Sequence, residues 1–128
     1  MTGDEITLTI PGEEPFHEVA HLVLGGFVAR LNLSFESLDD LETALNAVLE
    51  RASAVGNGQV TVRLAVEDGA IRASVGPFSD ERLRPELERE PGDRVDLRRI
   101  LDTVVDDYTL DEDGWLELRK RVEKQEGG

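Results

Sequence analysis

The chain has no cysteine. Disulfides, thiolate metal sites and thiol nucleophiles are therefore all excluded. No apolar run approaches the roughly 20 residues that a membrane-spanning helix needs. Basic residues are scarce, with 14 Lys and Arg against 28 Asp and Glu, a formal net charge of −14. A surface so short of positive charge argues against nucleic acid and against anionic membranes, because phosphate contacts need a basic face. Basic proteins are compatible partners, although acidity alone also serves solubility. Met1-Thr2-Gly3-Asp4-Glu5 lacks the basic region and apolar core of a signal peptide, so a cytoplasmic location is the expectation. The chain shows no repeat, linker or low-complexity segment.

What is present fits one domain, 1–128, with one core and a disordered tail at 123–128. Ile6 to Ile10 alternates apolar and β-branched residues and stops at Pro11-Gly12, the pattern of an edge strand. From Pro15 to Leu31, Val19, Leu22, Val23, Phe27, Val28 and Leu31 recur at helical spacing. Gly25-Gly26 inside this helix costs propensity and implies close packing against a neighbour. A second helix is expected over Phe35–Ala54, capped by Ser34 or Ser37, with Leu38, Leu41, Leu45, Val48, Ala52 and Val55 in one stripe.

Residues 59–66 and 70–75 alternate on either side of Glu67-Asp68-Gly69, a strong hairpin signal. Residues 76–94 read as a polar loop, and a third helix is expected over Val95–Val105. A strand at Tyr108–Leu110, a second Asp-Gly turn at Asp113-Gly114 and a strand at Trp115–Val122 complete the chain. The order β-α-α-β-β-α-β-β predicts an α+β two-layer sandwich. It should hold a mostly antiparallel sheet of four to five strands with three helices on one face. Leu41, Leu45, Val48, Ala52, Val62, Leu64, Ile71, Ala73, Ile100, Val104, Leu116 and Leu118 are its expected core.

This order, with the segments SLDDLETALNAVLERA (37–52) and ILDTVVDDYTL…GWLELRKRV (100–122), resembles the histidine-kinase-like (GHKL) ATPase superfamily. Within it, the chain is most similar to the small serine kinases that act as anti-sigma factors. The resemblance covers nearly the whole chain and rests on element order and apolar pattern.

In that family one helix carries a Glu that acts as base and, four residues on, an Asn that binds the magnesium of the nucleotide. A register set by the apolar stripe puts these positions at Ala47 and Arg51. Neither residue supplies the chemistry, since alanine takes no proton and arginine repels the metal. A rival register uses Glu42 and Asn46, which have the required spacing, but places Asp39 and Asp40 where the family buries aliphatic side chains. Unpaired buried carboxylates are costly.

The family's Asp-x-Gly-x-Gly motif reads adenine. Here GPFSDERL (76–83) follows the strand, so Gly76 and Phe78 look like a shortened remnant and the preceding Asp is absent. Asp80 lies beyond the turn. The family's glycine-rich phosphate loop, a helix N-terminal anion cradle, maps to Arg94-Val95-Asp96-Leu97, with only Gly92 nearby. With all three motifs degenerate, the resemblance implies a non-catalytic regulatory module that binds another protein, a sigma factor or an anti-sigma antagonist. No cofactor is expected. The alternative is a divergent serine kinase that uses Mg-ATP through Glu42 and Asn46. The resemblance also implies a homodimer, with Phe16, Phe27 and Leu33 as candidate contacts.

Three other constellations are candidates for chemistry. His17-Glu18-Val19-Ala20-His21 has the spacing of a zinc metalloprotease helix. No third ligand follows, so partly exposed helix histidines and no metal are expected. Arg82, Arg84, Arg89, Arg94, Arg98 and Arg99 concentrate positive charge between residues 82 and 99. They suggest an anion or acidic-partner site, but Glu81, Glu86, Glu88, Glu90, Asp93 and Asp96 are interleaved with them and favour a solvated loop. Asp106, Asp107, Asp111, Glu112 and Asp113 lack the order of a calcium loop.

Overall fold

Alternating strands joined by Asp-Gly turns pair with their neighbours, and here they build one fully antiparallel sheet. The computed structural model describes residues 5–29, 34–54, 58–67, 69–78, 87 and 97–121. Its elements are β1 (Glu5–Pro11), a 3-10 turn at Glu14–Phe16, α1 (His17–Ala29), α2 (Phe35–Ala54), β2 (Gln59–Glu67) and β3 (Ala70–Gly76). They are followed by α3 (Leu97–Val104), β4 (Asp107–Leu110) and β5 (Leu116–Arg121). The sheet order is β1-β2-β3-β5-β4, so β1 is an edge strand, as its terminal proline predicts.

Strand register sorts the residues onto two faces. Ile6, Leu64, Ala73, Leu118 and Tyr108 form one row across the sheet, and Leu8, Val62, Val75, Leu116 and Leu110 form the next. These rows meet Leu24 and Phe27 of α1, Leu41, Leu45, Val48 and Leu49 of α2, and Leu97 and Leu101 of α3 in one buried cluster. The three helices thus cover one face of the sheet. The other face carries Thr7, Arg63, Ser74, Glu117 and Thr109 in one row. It holds a shallow polar pocket of 420 Å³, where the Arg63 guanidinium lies 4.7 Å from the centre of the Trp115 ring.

The expected core is buried wherever it is described, except that Ile100 and Val104 are only half-buried at the margin. The side chain of Ala52 lies outside the described residues, as do Val55, Val95 and Val122. So do residues 79–86 and 88–94 of the expected polar loop, the first two positions of the expected third helix, 95–96, and the whole of the tail. Ser34 is the cap of α2, since its Oγ accepts from the Ser37 backbone N–H at 3.1 Å.

Two expectations about α1 are corrected. Nothing lies within 4 Å of a Cβ placed on Gly25 or Gly26, so no neighbour within the described chain explains these glycines. Val19 and Leu22 face outward, Leu22 at 71% exposure, while His17, Ala20, Leu24, Phe27 and Val28 face inward. A helix with apolar residues on every side gives no moment to orient it, so its packing decided which side was buried.

β4 is pinned to α3 by the only tyrosine. Tyr108 Oη donates to Asp102 Oδ1 at 2.8 Å. Burial first, and then this bond to a carboxylate, raise its pKa to about 12. The neutral phenol is favoured in the folded state, so this contribution is complete below the ordinary pKa of about 10 and fades as pH rises toward about 12. Absorbance at the phenolate band, where the single tyrosine is the only titrating group, should show a midpoint near 12. Asp102→Asn should lower it. An unshifted midpoint in the native protein would refute the contact.

Candidate functional site

The residues singled out from the sequence fall on α2 and on the turn after β3. Helical spacing of four puts positions 42 and 46 on one side of α2, and positions 47 and 51 on another. The first side reaches the surface: Glu42 is half-buried and Asn46 exposed. The second begins in the core, where Ala47 is 4% exposed, and ends at the half-buried Arg51, whose Nη1 lies 3.7 Å from Glu50.

Asn46 links the two long helices. Its Oδ1 lies 3.4 Å from His21 Nε2, which donates if that nitrogen carries the proton. Its Nδ2 donates to Glu50 Oε1 at 3.2 Å. Both contacts are exposed and contribute little to stability. Asp39 is exposed, and half-buried Asp40 pairs with Lys120 Nζ of β5 at 2.9 Å. Neither carboxylate is thus left buried and unpaired, the cost that counted against the Glu42–Asn46 register. The Asp40–Lys120 pair borders a pocket of 240 Å³ with Glu36, Ser37, Asp106 and Arg121.

The turn after β3 is closed. Val75, which stands just before Gly76-Pro77-Phe78, is fully buried in the core cluster. Phe78 is also buried, and its backbone N–H donates to the Gly114 carbonyl at 2.7 Å. A Cβ on Gly76 would stand 2.9 Å from that same carbonyl and 3.1 Å from Trp115. The close approach of the β4–β5 turn therefore explains why position 76 is glycine. Counted back from Gly76, the Asp of Asp-x-Gly falls on Ser74, a half-buried residue on the sheet face away from the helices that supplies no carboxylate. Gly92, Asp80 and the segment mapped to the phosphate loop before Leu97 lie outside the described residues.

The remaining candidates separate. His17 is buried, which corrects the expectation of an exposed histidine, because position 17 shares the inward face with Ala20 and Leu24. Glu18 is exposed, and His21 faces Asn46. No group of three or more His, Asp or Glu placed to hold a metal occurs among the described residues. Phe27 is buried as well and offers no surface for a second chain, while Leu33 lies outside the described residues. Of the arginine-rich region only Arg98 and Arg99 are described, and Arg98 lies 3.8 Å from Asp102.

The acidic cluster serves local structure. Asp111 Oδ1 accepts from the backbone N–H groups of Asp113 and Trp115, each at 2.9 Å, and so builds the β4–β5 turn. Asp106 Oδ2 accepts from the Arg121 N–H. Sequence reasoning missed Lys120 as the partner of Asp40. The two are 80 positions apart, and no local pattern reports such a pairing.

An open antiparallel five-stranded sheet with three helices on one face is consistent with the histidine-kinase-like ATPase fold. No family model matches the chain. It is 25% identical over 124 residues to the serine-protein kinase RsbW of Listeria monocytogenes serotype 4a (strain HCC23), a match spanning 84% of this chain and 79% of that kinase. The serine-protein kinase RsbW of Listeria innocua serovar 6a (strain ATCC BAA-680 / CLIP 11262) matches with the same identity and coverage. These similarities support, at a low level of identity, a resemblance to serine-protein kinases of this kind. No helix among the described residues is long and apolar enough to cross a membrane.

Proposed function

We propose that this chain is a regulatory protein-binding module of the anti-sigma kinase type that has lost ATP binding. The observation that carries this reading is the closed turn after β3. Two residues before Gly76, where the resemblance calls for a carboxylate, stands Ser74, and Phe78 is bonded to Gly114 across the strand end. A charge-assisted contact is worth about 1.5–3 kcal/mol, so losing the adenine-reading Asp alone weakens a nucleotide by roughly tenfold or more. The partner is another regulatory protein, a sigma factor or an anti-sigma antagonist.

A second reading is favoured by the surface position of Glu42 and Asn46 and by the Asp40–Lys120 pair. In it the chain is a divergent serine kinase, with Glu42 as the base for a serine hydroxyl and Asn46 Oδ1 toward magnesium. Asn46 would first have to release His21.

Thermal unfolding with millimolar Mg-ATP separates the two. A ligand at 100 times its dissociation constant stabilises the folded state by about 2.7 kcal/mol. No shift is expected. An upward shift that Asn46→Ala abolishes and Arg51→Ala leaves intact would overturn the proposal in favour of the kinase.

A further inference from the structure

We propose that the pocket on the open face of the sheet takes an arginine side chain from a basic segment of a partner protein, with Trp115 as its platform. This deepens the protein-binding reading and rests on it. Leu116 and Leu118 of β5 point into the core, so Trp115 and Glu117, which alternate with them, point to the opposite face. The indole lies against Gly76 of β3, where an added Cβ would stand 3.1 Å from its Cδ2. Strand backbone beneath the ring leaves its other face for a cation, and the Arg63 guanidinium of β2 stacks there, 4.7 Å from the ring centre. The chain's own arginine thus shows what the platform accepts.

Carboxylates outnumber cations at this end of the pocket. Asp111, Asp113 and Glu117 line it with Trp115, against the single guanidinium of Arg63. The pocket's second arginine, Arg72, stands four residues before Gly76 on β3, about 13 Å along the strand and in one row with Glu5. An arriving guanidinium therefore finds an aromatic face and carboxylates together, and has only to displace Arg63. Arg63 is exposed, and an exposed cation–π contact is weak enough to exchange.

Chemistry and shape select this guest. A guanidinium is planar, stacks on aromatic rings and pairs bidentately with carboxylates, which an ammonium does not do. A net charge of −14 draws basic rather than acidic partners. The pocket is shallow, 420 Å³ on an open sheet face, whereas sites for free small molecules bury about 70–90% of their ligand. An arginine carried by a protein gains the remaining contact from the chain on either side of it.

The test reads the fluorescence of Trp115, the only tryptophan of the full chain, at constant ionic strength. A blocked Gly-Ser peptide with one central arginine should give a saturable change. Its citrulline counterpart keeps the shape, loses the charge and should bind at least about tenfold more weakly. Arg63→Ala should tighten the arginine peptide about two- to fivefold, because the place over the indole is vacated. Arg63→Gln carries the same comparison if alanine lowers the melting temperature. Glu117→Gln should weaken the peptide, and more at low salt than at high salt.

Equal binding of the citrulline peptide would reduce the effect to the peptide backbone and overturn the proposal. So would an affinity that Arg63→Ala leaves unchanged or lowers, since Arg63 would then not hold the guest's place. Three further results overturn it by naming another occupant. Stronger binding of a glutamate peptide would assign the pocket to anions, and equal binding of arginine amide would assign it to a small molecule. A dimer that the arginine peptide dissociates, seen by light scattering, would assign it to a second copy. A nucleotide-induced thermal shift would count against the loss of ATP binding and leave the indole signal unchanged, so the two failures are distinguishable.

Discussion

Gly114→Ala should destabilise the protein by about 3 kcal/mol or more, and Gly69→Ala by only about 1 kcal/mol. Both glycines have positive φ, +89° at Gly114 and +76° at Gly69, so both variants carry the cost of a left-handed alanine. They differ in surroundings. Around Gly69 nothing lies within 4 Å of an added Cβ, whereas at Gly114 that atom would collide with the carbonyl oxygen of Phe78 and stand 3.0 Å from its nitrogen.

Backbone on both sides cannot yield as a flexible side chain does. Relieving the clash means separating the β4–β5 turn from the end of β3, which breaks the Phe78 N–H bond to the Gly114 carbonyl. Urea unfolding of the two variants checks this. Equal midpoints would show that the two turns do not pack together. The same contact closes the end of β3 at Gly76-Pro77-Phe78.

Leu45→Ala should lower the melting temperature by roughly 6–20 °C. Leu45 is 2% exposed at the centre of α2, within the cluster that joins all three helices to the sheet. Removing a buried leucine typically costs about 2–5 kcal/mol, the higher values arising where the surroundings cannot collapse into the cavity. Val48 and Leu49 on the same helix, and Val62 and Leu64 on β2, are held by helical and sheet hydrogen bonds, which favours the upper half of the range. Calorimetry measures it directly. Leu22→Ala, at an exposed position on α1, should change stability by no more than about 0.5 kcal/mol. If the two leucines proved equally costly, the orientation of the helices on the sheet would be wrong.

Much of the fold was legible because its signals are local. Alternation in residues 59–66 and 70–75, interrupted by Asp68-Gly69, required a hairpin whatever the rest of the chain did. The spacing of Leu41, Leu45 and Val48 required one buried side on α2. A period of two or of 3.6 sets which residues share a face, and where that face is unambiguous the sequence settles burial. The missing cysteines, the charge of −14 and the absence of a carboxylate before Gly76 are likewise properties of the residue string alone, independent of how it packs.

Tertiary structure decided what local periods leave open. On α1 the apolar residues point every way, so only packing could send Phe27 inward and Leu22 outward. The acceptability of Asp40 depended on Lys120, brought beside it by the path of the sheet. The reason for Gly76 lay in Gly114, on another strand pair. In each case the deciding energy belongs to a contact between distant parts of the chain, and a pattern read along one segment carries no information about what that segment will meet.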